Sequence, residues 1–205
     1  MYRGERFNGF THLAGAILAL AGLVALVVTA ARQGDVWKIA SFSLYGATLF
    51  LLYGTSTLYH SLRGRAKTIF RKLDHLSIYL LIASTYTPFA LVSLRGVRGW
   101  WLFGAIWSLA TMGMALEFLP RRGARILPVL IYLLMGWLVL IVLKPLLQVL
   151  PWAGFIWLLS GGLFYTFGVI FYGLDQKLRH AHGIWHLFVL AGSICHYFAI
   201  FYYVA

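Results

Sequence analysis

The chain is 205 residues long, 61% hydrophobic and only 11% charged, where a soluble domain carries about a quarter charged residues. That balance excludes a water-soluble globular protein and indicates an integral membrane protein. The net charge of +12 falls in basic clusters between apolar runs, which fits anionic headgroups and the topology rule rather than nucleic-acid binding.

Taken in order, seven apolar runs cover about 10–31, 37–60, 73–94, 100–118, 126–144, 152–173 and 183–204. Each is close to the ~20 residues that cross ~30 Å of hydrocarbon. The first exceeds the ~7–15 residues of a signal-peptide core and reads as a retained span. The expected fold is therefore all-α, a single seven-helix membrane domain over residues 1–205 with short connections. Trp37, Trp100, Trp101 and Trp152 open spans as interfacial anchors. Pro88 is expected to kink the third helix, and Pro128 falls in the first turn of the fifth, where its missing N–H is harmless. The single cysteine, Cys195, rules out an internal disulfide and a cysteine-based zinc cage, and reads as a small buried apolar residue.

With seven spans, the N-terminus shares one side of the membrane with the second, fourth and sixth connections. That side collects twelve Lys and Arg residues against five on the other. The asymmetry predicts a cytoplasmic N-terminus and an external C-terminus, the reverse of the G-protein-coupled receptor arrangement.

Orientation assigns depth to the polar residues. His182 and His186 are four apart at the start of the last span, so both imidazoles leave one helix face, one turn apart, as suits two ligands of one metal ion. Ser56 and His60 stand one turn apart at the end of the second span, and Asp74 opens the third. His60, Asp74, His182 and His186 thus share one level just inside the cytoplasmic boundary. Three imidazoles and a carboxylate at one depth match a catalytic zinc site with three protein ligands, an open position and a nearby acid/base group. Other readings stay open. Asp74 could pair with Lys72 or Arg71, and Ser56 could bond back to its own helix. His12 opens the first span, preceded by Glu5 and Asn8, and these three are further polar candidates. His75 points about 100° away from Asp74 and reads as interfacial. His196, ~15 Å deeper than His186, suits a hydrogen-bonded cavity role. Glu117 with Arg121, and Asp175 with Arg179, stand at i,i+4 and read as structural pairs.

Glu5 through His12, Ser56 through His60, Lys72-Leu73-Asp74, His182 through His186, and Ser193 through Phe198 together resemble one family. This is the hemolysin III type, the bacterial branch of the progestin and adipoQ receptor (adiponectin receptor-like) family, grouped with alkaline ceramidases in a superfamily of membrane hydrolases. The resemblance spans nearly the whole chain. It implies that His60, His182 and His186 bind Zn2+, that Asp74 holds the zinc-bound water, and that Ser56 supports it. It also implies a bacterial cytoplasmic membrane. The long N-terminal extension of eukaryotic members is missing, so hormone or adaptor binding is not implied.

The expected activity is zinc-dependent hydrolysis of a membrane lipid amide or ester. Two rivals stand beside it: a sensor of membrane lipid state with a structural zinc, and a hemolysin-type pore or transporter. A hydrolase needs an open metal position, a structural zinc is closed and four-coordinate, and a pore needs polar residues through the full thickness.

Overall fold

The computed structural model describes residues 1, 4–119, 125–175 and 177–205, and among them it is built of helices alone. In order these are α1 (Arg6–Gln33), α2 (Val36–Ser61), α3 (Gly64–Pro88), α4 (Val97–Leu116), α5 (Ile126–Gly136), α6 (Leu143–Val149), α7 (Trp152–Gly173) and α8 (Ala181–Tyr203). They form seven membrane-length apolar segments, α5 and α6 sharing the fifth.

Two boundaries depart from the hydropathy reading. The helix of the third span starts at Gly64, not near residue 73. Its first turns carry Arg65, Lys67, Arg71 and Lys72, so apolarity marks where the membrane begins and the helix extends past it. The fifth span is broken: α5 ends at Gly136, a tight 3₁₀ stretch covers Leu138–Val142, and α6 resumes at Leu143. The Tyr86 hydroxyl enters this break, within reach of the carbonyls of Met135 (2.9 Å) and Gly136 (2.7 Å), and accepts from the Val139 N–H (3.0 Å). Backbone groups freed inside a membrane need partners of this kind. Pro88 acts at the end of α3, where the ladder passes into a π-helical turn over Phe89–Ser93; the missing N–H makes that position the natural one for the change.

Around the bundle, α1 packs between α2 and α8, α7 lies on α8, and α2 packs on α3, which also touches α4 and α5. The third span is the most enclosed, with two-thirds of its apolar window buried (67%). Glu117, at the end of α4, is held by both Arg125 guanidinium nitrogens at 2.7 and 3.0 Å. Its expected partner, Arg121, lies outside the described residues. Cys195 is buried and free, as a small core residue.

Candidate metal centre

Three helix ends meet at the end of the bundle that carries the N-terminus: the start of α1, the end of α2 and the start of α8. The start of α8 is set by His180, whose φ of 66° makes it the one non-glycine in the left-handed region among the described residues. Histidine tolerates that region better than bulky or β-branched residues do. One turn on, Gly183 lets α1 come close. A Cβ there would stand 2.1 Å from the Phe7 ring and 3.0 Å from Asn8 Oδ1.

This packing gathers His60, His182 and His186, each offering one ring nitrogen within 4.8 Å of the others. Each ring also has its Nδ1 engaged on the outer side. His60 Nδ1 lies 2.6 Å from Glu5 Oε2. His182 Nδ1 lies 3.5 Å from Asp175 Oδ2. His186 Nδ1 donates to the Asn8 carbonyl at 3.1 Å and lies 3.3 Å from Thr11 Oγ1. A proton on Nδ1 leaves the Nε2 lone pair as the free donor, and His60 Nε2 is buried without any hydrogen-bond partner. Three imidazoles, each held at Nδ1 and each with a ring nitrogen close to the other two, fit a metal ion. An unmet buried nitrogen is costly otherwise.

Glu5 does more than the sequence reading assigned to it. Besides His60 it binds Lys67 Nζ at 2.7 Å and accepts from Asn8 Nδ2 at 3.1 Å. The His60 bond above all, helped by Lys67, holds its carboxyl far below the usual range in spite of partial burial. Asp175 corrects an expectation: it faces His182 rather than pairing with Arg179 along one helix, because α7 ends at Gly173. No sequence period could have found this contact, since a loop intervenes.

The remaining candidates divide by place. Ser56 is buried, and its hydroxyl makes no hydrogen bond, either to its own helix or to another described residue. Asp74 forms no ion pair with Lys72, whose Nζ sits 3.8 Å over the Phe118 ring. Asp74 is not one of the clustered donors. His12 stacks on His186 with ring centroids 3.6 Å apart, and neither of its nitrogens has a partner. His75 is partly buried, and its carbonyl accepts from Tyr132. His196 lies apart from the cluster, with Nε2 donating to the Leu158 carbonyl at 3.1 Å. Gly161 makes room for it, since a Cβ there would meet the imidazole at 2.2 Å. Nearby, Tyr53 and Tyr165 both bond Ser193 Oγ at 2.7 Å, a buried hydroxyl cluster among α2, α7 and α8.

A family profile described as Haemolysin-III related matches residues 1–197. The chain belongs to that family. Among its relatives, Hemolysin-3 of Bacillus cereus is 45% identical over 202 residues, covering 98% of this chain and 91% of that protein. The Hemolysin-3 homolog of Bacillus subtilis (strain 168) is 42% identical, with 97% and 93% covered. Monocyte to macrophage differentiation factor of Homo sapiens is 29% identical over 203 residues, with 96% and 83% covered, a distant link to the progestin and adipoQ receptor group. With its seven apolar helices, this haemolysin-III family member is an integral protein of a bacterial cell membrane.

Proposed function

We propose that this protein is a zinc-dependent intramembrane hydrolase of a lipid amide or ester. The observation that carries the reading is the three-histidine cluster with every Nδ1 held from outside and His60 Nε2 buried and unmet. A set of three imidazoles is the donor set of a catalytic zinc, leaving one position open, whereas structural zinc takes four protein ligands. The chemistry such a site supplies when loaded is Lewis acidity, which polarises a carbonyl and acidifies water.

The chain's own residues then have distinct tasks. His60, His182 and His186 hold the ion. Glu5, Asp175 and the Asn8 carbonyl fix the three rings. Asp74 takes the proton from the attacking water and later returns it to the leaving amine or alcohol, while Ser56 steadies its carboxyl. The site lies near one end of the seven apolar segments, so a lipid can present its polar linkage there while its chains stay among the helices. The basic asymmetry supports placing that end in the cytoplasm.

Metal analysis tests the reading at its base. Purified protein is expected to hold about one zinc per chain, as the donor set implies. His60→Ala, His182→Ala and His186→Ala should each lose it, with a lowered Tm because the ion binds only the folded state. Full zinc retention in His186→Ala would overturn the ligand assignment.

A further inference from the structure

The opposite end of the bundle carries a second feature that the metal centre does not use. Two adjoining hollows, of about 600 and 390 Å3, lie between the start of α4 and α6 and share Val97, Arg98, Pro145 and Gln148. Arg98 lines both, Lys144 the larger and Arg95 the smaller. This is the side with only five basic residues, so three of the five collect at one place. Arg95 is neutralised there by Asp35, at 3.0 Å. Arg98 and Lys144 enter no ion pair or hydrogen bond among the described residues, and no carboxylate lines either hollow.

The rest of the lining is of another kind. Trp101 and Ile141 are 55% and 64% exposed beside the two free cations. Trp37 and Trp100 meet edge to face at 5.7 Å on the same end, as an interfacial aromatic anchor does. Cations without a partner beside an apolar, membrane-level wall select an amphiphile with a negative head. A free anion would gain nothing from the Trp101 and Ile141 wall, and a zwitterionic lipid would bring its own ammonium cation beside Arg98 and Lys144.

We infer that the cleft between α4 and α6 is a binding site for an anionic phospholipid, with Arg98 and Lys144 on its phosphate and Trp101 and Ile141 along its glycerol and upper chain. It is independent of the hydrolase reading and lies in the leaflet opposite the histidines. Bound lipid would brace α6, the short helix that completes the broken fifth span, against α4.

The test uses full-length detergent-purified protein titrated with dioctanoyl phosphatidylglycerol, dioctanoyl phosphatidylcholine and inorganic phosphate, read by native mass spectrometry and by thermal shift. Wild type should prefer phosphatidylglycerol over phosphatidylcholine by about 25-fold, about fivefold per surface cation. The double variant Arg98→Gln/Lys144→Gln should lower that preference to about twofold or less. Arg32→Gln/Lys38→Gln removes the same charge from the same end outside the cleft, and should keep the preference. Both altered pairs are at or near the surface, so neither endangers the fold. An equal loss in the control pair would show diffuse surface charge and overturn the site. Inorganic phosphate that displaces phosphatidylglycerol at equal concentration would make it a small-anion site and overturn the lipid. An unchanged preference in Arg98→Gln/Lys144→Gln would overturn both.

Discussion

Glu5 Oε2 stands 2.6 Å from His60 Nδ1, tying the residue before α1 to the last turn of α2. The bond orients an imidazole whose other nitrogen is buried and unmet. Glu5→Gln keeps the shape but exchanges a charged acceptor for a neutral amide. Outer partners of this kind contribute about 10–100-fold in metal affinity. The variant is expected to fold, to start with bound zinc, and to surrender it to a chelator at about 10–100-fold lower concentration. Identical chelator resistance in wild type and variant would remove Glu5 from the centre.

The Asp175 contact makes a second comparison. Asp175→Asn should weaken zinc retention by the lower part of the same range, since its 3.5 Å separation from His182 Nδ1 is long for a hydrogen bond. Arg179→Gln should leave retention unchanged, because Asp175 faces the histidine instead. Equal effects of the two substitutions on zinc retention would restore the Asp175–Arg179 pair that spacing alone suggests.

What could be read beforehand follows from which forces are periodic. Hydropathy repeats along each span, so the seven segments were visible, and an i,i+4 spacing placed His182 and His186 on one face. Depth agreement placed His60 at their level. Contacts that cross between chain segments have no period. Asp175 reaches His182 across a loop turned by the left-handed His180, and Glu5 reaches His60 from before the first helix. Sequence spacing groups both with their neighbours instead, Asp175 with Arg179 and Glu5 with Asn8 and His12. The break in the fifth span was hidden for the same reason. Its run is uniformly apolar, and the hydroxyl that stabilises the break belongs to Tyr86 in another helix.

Topology is open to a direct check. Twelve of the 17 Lys and Arg residues lie on the side of the N-terminus, an excess that predicts a cytoplasmic location for this end. Reporter fusions after Ala205 are expected to show external activity only. Cytoplasmic activity at that position would move the histidine cluster to the outer boundary and reverse the leaflet assigned to each end.

The measurement that bears most directly on a hydrolytic centre is made on Asp74, which is not one of the clustered donors. Wild type and Asp74→Asn are compared for zinc content and for turnover on a panel of lipid amides and esters. Asn keeps the size of the side chain and removes the charge that accepts a proton. The expected result is unchanged zinc, an unchanged fold, and turnover reduced by about 10²–10⁴-fold, the usual worth of a general base. Loss of zinc together with stability would instead make Asp74 a fourth ligand of a closed structural site. Equal turnover in the two proteins, or wild type that holds zinc and hydrolyses nothing on the panel, would contradict catalysis through Asp74.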